Sequence, residues 1–388
     1  MTAGCRHLRR SACGVPPIGT AGKAPRRRRT YAVDRRGGAV CEDRAEYSTV
    51  IGPQCQIWQL MERWDTLKTP GRLWIERPSV VDLRGVDPET AHRFDDESLA
   101  IAVAYHHSGL GIAAAAQLQA EAMVEPEWGS QLLWEPGYEF QSTHHADVGI
   151  PDHPFDESEL ALLVQSTPAV PAANRARGHR VAVLDTGLRD AHGDMLDFVR
   201  CDYAGIKTTP TADPHGHGTA VATVIKAVCG AADIHPIRVL NDKNRGKSYE
   251  VLAGLIYALW SGAYDLINAS LTTDAAGPCA TSLGRSIDFI LRYCSEKSSL
   301  PVLVAAAGNF GRTAMCGYPA RLPQAVVALA QDHTGQRAEY NSTPPDWAFT
   351  QEAYGGSKAR PLGHFNHPAA SLWGTSFAAA AVSGAYLP

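Results

Sequence analysis

RVAVLDTG, Arg180 to Gly187, runs four apolar residues in succession into a carboxylate and a glycine turn. A strand that is apolar at every position must bury both of its faces, which is the condition of a parallel sheet covered by helices. The same pattern recurs in IHPIRVL, YDLINASL, PVLVAAAGN and AVVALA. Between these runs lie GTAVATVIKAVCG, SYEVLAGLIYALWSG and TSLGRSIDFILRYCSE, each long enough for a helix and broken by glycine or followed by a turn residue. Repeated β-α units predict an α/β fold over residues 179–388: a doubly wound, mostly parallel sheet with helices on both faces. In such sheets reactive groups gather at the carboxyl ends of the strands.

Three segments put polar residues at those ends. VLDTG closes a strand with Asp185, DPHGHGTAVATV (Asp213 to Val224) puts His217 at the entry to a helix, and WGTSFAAAAVSG puts Ser376 at the entry to another. Asp, His and Ser are what acyl transfer requires. A serine hydroxyl is a weak nucleophile until an imidazole takes its proton, and a carboxylate must orient that imidazole. In AAAGN, Asn309 follows a strand of small residues, and its amide could donate to the oxyanion formed on an attacked carbonyl. A metal reading would use Asp213, His215 and His217, but no further His or acid nearby completes a ligand set. Singly, Asp185 could be a turn former, Ser376 a helix N-cap and Asn309 a loop residue.

Together, in the chain order Asp, His, Ser, these segments resemble the subtilisin-like serine proteases over about Arg180 to Gly384. Asp185 and His217 are 32 residues apart, and Asn309 and Ser376 are 67 apart, both similar to the family's spacing. The family's H-G-T pattern selects His217 over His215. The resemblance implies an endopeptidase in which Ser376 attacks, His217 is base and then acid, Asp185 orients it, and Asn309 with the Ser376 N–H holds the oxyanion. INASL resembles the strand lining the family's cleft and CGYPA the wall of its first specificity pocket. Ser270, Leu271, Ala306, Gly308 and Gly317 are then the implied peptide-binding positions, and the small side chains of Ala306, Gly308 and Gly317 favour a large apolar or aromatic residue in that pocket. A binding module that keeps the cleft without turnover, and a serine esterase with the same triad, are the rival readings.

The departures from the family are specific. Thr272 and Thr273 stand where its cleft strand has glycines, so an extended substrate would pair differently along that edge. Asp194 matches a calcium ligand, yet TVIKAVCGAADIHPI leaves out the loop that supplies the other oxygens, and a hard cation wants six to eight of them. No cofactor and no metal site are expected. The stretch TQEAYGGSKARPLGHFNHPAAS reads as a loop near the cleft. Only twelve residues follow Ser376, fewer than the family's closing helices need, so an apolar face is expected there for a missing segment or a partner to cover.

The rest of the chain says less. It has 388 residues, 45% of them hydrophobic, and a net charge of −4. Residues 1–40 hold ten Lys or Arg and one acid, Asp34, which leaves −13 on the remainder (−4 minus +9) and argues against nucleic acid as main partner. Residues 1–55, rich in Arg, Gly and Pro without periodicity, read as a basic, disordered extension. No signal peptide or membrane span is evident, and nine scattered cysteines without a CxxC pair favour a reducing, cytoplasmic setting. Residues 73–165 form a poorly defined small α/β region. SLAIAVAYHH reads as a buried strand, GIAAAAQLQAEAM as a helix and SQLLWEPGYEF as a returning strand. The length suits a propeptide that blocks the cleft, or a regulatory domain, and PDHPF with STPAVPAANRARGHR reads as the linker that follows.

Overall fold

The computed structural model describes residues 47–63, 79–81, 83, 91–105, 132–136, 139–141, 150–167, 179–189, 194–202, 205–210, 212–273, 278–297, 299–366 and 370–387. The helix expected at GIAAAAQLQAEAM and most of the basic extension lie outside these residues.

The N-terminal strands are β1 (Tyr47–Pro53), β2 (Ser79–Val81), β3 (Leu99–Tyr105), β4 (Leu133–Pro136) and β5 (Glu139–Gln141), with helix α1 (Gln54–Arg63) after the first. Helix α2 is Glu157–Ser166. The strands that follow are β6 (His179–Asp185), β7 (Asp194–Asp202), β8 (Gly205–Pro210), β9 (Ala232–Arg238) and β10 (Arg245–Lys247). Helices α3 (His217–Val228), α4 (Ser248–Trp260), α5 (Pro278–Ser295) and α6 (Thr375–Tyr386) alternate with β11 (Leu266–Ala269), β12 (Thr272–Thr273), β13 (Val302–Ala306), β14 (Ala325–Gln331), β15 (Phe349–Tyr354) and the short pair β16 (Gly363–His364) and β17 (Ser371–Leu372).

The main sheet runs β15-β14-β13-β11-β6-β9-β7-β8. Seven strands are parallel, and β8 joins β7 antiparallel at the edge. Alternate residues of one strand enter different cores. Val181 and Val183 face the cluster built with α3 and α6, and Ala182 and Leu184 face the one built with α4 and α5. The continuous apolar runs therefore come from burial on both sides, as the doubly wound reading requires. None of the helices in the described residues is long and apolar enough to cross a membrane.

Before this sheet stands a smaller one, order β2-β3-β1-β4, antiparallel throughout. With α1 after β1, its strand order is that of the split β-α-β motif. Val50, Ala100 and Ala102 pack with Ile57 and Leu60 of α1, while Ile51, Ile101 and Val103 join the core that holds α4. Side-chain contacts tie the small sheet down: Phe94 stacks on Tyr257 at 5.6 Å, the Trp260 indole N–H donates to the Arg93 carbonyl at 2.7 Å, and the Tyr47 hydroxyl accepts from Ser248 N at 3.0 Å.

Three boundaries differ from the sequence reading. Strand β1 lies inside the stretch assigned to the extension, because Val50 and Ile51 each have a core to enter on its opposite faces. The region counted as 73–165 ends earlier: Ile150 and Leu163 are buried with Val181 and Val224, and Glu159 accepts from the Tyr354 hydroxyl at 2.5 Å and from Arg360 at 2.7 Å, so α2 belongs to the large domain. The stretch expected as a loop begins with β15, whose Ala353 and Tyr354 are buried while its other positions reach solvent, too weak an apolar signal to read as a strand. At this edge Trp347 and Phe349 are more than half exposed, and the Phe349 ring lies 6.4 Å from Tyr386.

Candidate active site

Asp185 ends β6, Ser270 and Leu271 follow β11, and Asn309 lies just beyond β13, so three of the expected groups stand at carboxyl ends of adjacent parallel strands. His217 opens α3 and Ser376 the first turn of α6. The fold thereby collects residues spread over 191 positions of chain (185 to 376) at one end of the sheet.

Asp185 and His217 are fully buried. His217 Nδ1 lies 2.8 and 2.9 Å from the two carboxylate oxygens of Asp185, and Oδ1 also accepts from Thr186 N at 2.7 Å. A carboxylate only accepts, so this contact places a proton on Nδ1 and leaves Nε2 as the basic nitrogen. The helix start is built for close approach. Gly216 has φ +92°, and a Cβ on Gly218 would collide with the Gly187 carbonyl and crowd Asp185.

Asp213 holds this frame together. One carboxylate oxygen accepts from Thr186 Oγ1 at 2.8 Å and Gly216 N at 2.7 Å, and the other from Thr219 N and Oγ1, both at 2.8 Å. Thr186 Oγ1 in turn accepts from Gly218 N at 3.0 Å. The turn after Asp185 and the turn before His217 are thus locked to each other through one buried carboxylate. Asp213 and Thr186 were not singled out for this from sequence, although an acid four residues before His217 and a hydroxyl directly after Asp185 were there to read. With these oxygens engaged and His217 Nδ1 on Asp185, Asp213, His215 and His217 do not form a ligand set. Among the described residues no group of three or more His, Cys, Asp or Glu could hold a metal ion. The side chain of Asp194 lies outside the described residues.

The Ser376 hydroxyl donates to the Ser270 carbonyl at 3.2 Å. Ser270 Oγ lies 3.0 Å from the Ser376 carbonyl and 2.9 Å from Asn268 Oδ1, and Asn268 Nδ2 donates to Ser383 Oγ at 2.9 Å. These bonds fix α6 against the end of β11. Asn309 Oδ1 accepts from Thr375 N and Oγ1, both at 3.0 Å. Because the backbone N–H can only donate, the amide orientation is set, and the buried Nδ2 has no acceptor among the described residues. Gly308 N donates to Thr375 Oγ1 at 3.0 Å.

The cleft beside these groups already contains a strand. β5 pairs antiparallel with β10 on one side and β12 on the other, in the register Gly246↔Phe140↔Thr273 and Arg245↔Gln141↔Thr272. Phe140 is fully buried in the cluster that includes Tyr249, Leu252, Leu271 and Leu283. Gly317 is buried against β12, and Ala306 is the buried last residue of β13. Nothing in the local pattern of a three-residue strand announces this insertion, since its partners lie more than a hundred residues away.

Cys229, Cys294 and Cys316 are buried free thiols, and burial pushes those of Cys294 and Cys316 up to about 12. They are packing groups rather than nucleophiles.

Subtilisin E of Bacillus subtilis (strain 168) is 31% identical over 176 residues, which is 42% of this chain and 43% of that protein. Thermitase of Thermoactinomyces vulgaris is 28% identical over 228 residues, 53% of this chain and 73% of the relative. Among solved structures sphericase aligns over 53% of this chain and 75% of its own, at 25% identity and a TM-score of 0.41. The chain spans less than half the length of subtilisin E. A model of the subtilase family (peptidase S8) matches residues 176–387, which include Asp185, His217, Asn309 and Ser376, and on that match over more than half of its length the chain belongs to the subtilase family.

Proposed function

We propose that the protein is a serine endopeptidase that hydrolyses peptide bonds through Ser376, His217 and Asp185. The observation that carries the reading is the buried contact of His217 Nδ1 with both carboxylate oxygens of Asp185. With its proton held on that side, His217 presents Nε2 as the base that takes the Ser376 proton when the hydroxyl leaves the Ser270 carbonyl and attacks. The imidazolium so formed is stabilised by Asp185 and returns the proton to the leaving amine. Asn309 Nδ2 and the Ser376 N–H receive the oxyanion, a contribution of about 3 to 4 kcal/mol per side-chain donor. No cofactor enters these steps.

A peptide rather than a small ester is the substrate class that fits. β10 and β12 hydrogen-bond an extended strand from both sides, and main-chain pairing of that kind recognises backbone. Because β5 takes that place, residues 47–141 act as a propeptide-like cover: the small sheet docks on α4 and α5 and its following strand fills the cleft.

The test is labelling of the full chain with a fluorophosphonate probe, wild type beside Ser376→Ala and His217→Ala. Labelling that disappears in both variants is the expected result. A folded wild type that never labels, with or without removal of residues 1–141, would move the binding-module reading ahead. Turnover of small esters with peptides left intact would favour an esterase.

A further inference from the structure

We propose that Thr272 closes the pocket for the scissile residue, so that this enzyme cleaves after small side chains, glycine, alanine or serine, and not after large apolar ones. The inference rests on the peptidase reading and runs against the expectation drawn from the small residues Ala306, Gly308 and Gly317.

The register of β5 places a substrate. Thr273 faces Phe140 and Thr272 faces Gln141, so a peptide held in this register has its next residues opposite Leu271 and then Ser270. The carbonyl of Ser270 is the group touching the Ser376 hydroxyl. The residue opposite Ser270 is therefore the one whose carbonyl Ser376 attacks, and Phe140 marks the side chain three residues before it. Directly opposed residues of an antiparallel pair share a face, and residues two apart along a strand share it as well. The side chain of the scissile residue thus projects to the same face as that of Thr272.

That face is filled. Thr272 is fully buried, and its Oγ1 stands so close to Gly317 that a Cβ added there would run into it and into the Thr273 carbonyl. β12 cannot shift away to make room. Thr273 N donates to the Tyr318 carbonyl at 3.2 Å, and Tyr318 N donates to Thr273 Oγ1 at 3.2 Å. The glycine floor at Gly317 accommodates Thr272 instead of a substrate side chain. Removing the Cβ, Cγ2 and Oγ1 atoms of Thr272 would open a slot between β12 and Gly317.

The experiment uses the full chain carrying Phe140→Ala, which frees β5 from the cleft and is the background of every position-272 variant and of the wild type at 272, with fluorogenic peptides acetyl-Phe-Gln-Ser-X, in which X falls opposite Ser270. It reads both turnover and the protection each peptide gives Ser376 against the fluorophosphonate probe. Wild type should prefer X = Gly, Ala or Ser over Leu or Phe by at least about tenfold. Thr272→Gly should raise the Phe to Ala ratio by at least about tenfold, Thr272→Ala by less, and the isosteric Thr272→Val should keep the wild-type order. Wild type that takes Phe or Leu as well as Ala overturns the inference whatever the variants do. So does a Thr272→Gly protein that labels at the wild-type rate but leaves the ratio within about twofold. A folded protein whose serine never labels, with or without residues 1–141, overturns the peptidase reading, and this one with it.

Discussion

Replacing Phe140 by alanine should loosen the strand that fills the cleft while leaving the large domain intact. Phe140 is fully buried among residues of α4, α5 and the cleft wall, and it is the only hydrophobic side chain of β5. Burial losses for Phe→Ala in a packed core run at about 3 to 5 kcal/mol. The main-chain pairing with β10 and β12 is unchanged by the substitution, so this loss falls on the equilibrium between seated and released β5. At 1.4 kcal/mol per decade, the released fraction should rise about a hundredfold to a few thousandfold. Hydrogen exchange measures it, in a Ser376→Ala background that prevents self-cleavage. The amides of β5 should exchange faster by that factor, and those of β13, between β11 and β14, should not. A change of less than about tenfold in β5, with β13 unaltered, would refute the claim that Phe140 anchors the strand. Equal acceleration in both would show that the side chain supports the whole fold instead.

Asp213→Ala leaves the Gly216 and Thr219 N–H groups without their acceptor, at roughly 1 to 3 kcal/mol for each buried donor. Unfolding should therefore shift by about 3 kcal/mol, and labelling of Ser376 should slow by at least about tenfold as the His217 frame loosens. Asp213→Asn, which keeps one acceptor oxygen, should recover part of both, and labelling at the wild-type rate in the alanine variant would refute the positioning role. Glu250, whose carboxylate accepts from Lys247 N at 2.7 Å, is pushed up to about 7 by burial. A carboxyl raised in the folded state contributes stability that is complete below about 4.5 and is lost as pH rises through about 7. The loss amounts to about 3 kcal/mol at 1.36 kcal/mol per pKa unit. Urea unfolding at pH 5 and pH 8 should show that slope in wild type and not in Glu250→Gln, and parallel profiles would refute it.

Much of this protein was legible without coordinates because the relevant signals are local. A parallel strand buried on both faces must be apolar throughout, so β6, β13 and β14 stood out from their own residues, and the carboxylate, imidazole, amide and hydroxyl at element ends followed from the same strings. What the string could not decide is where weakly marked segments go. β15 is half exposed, β7 and β8 lie toward the other edge of the sheet, and edge strands lack a continuous apolar run. α2 shows its allegiance through distant contacts, Leu163 buried with Val181 and Val224 and Glu159 bonded to Tyr354 and Arg360, about two hundred residues on. The cleft is the clearest case. Thr272 reads in sequence as a departure that changes pairing along the cleft edge, and Glu139 and Phe140 as the tail of a strand. Only the tertiary structure brings β10 and β12 to the two sides of β5 and sets Thr272 against Gly317. Pairing across a cleft is a property of distant backbones meeting in register, and no local residue pattern encodes it.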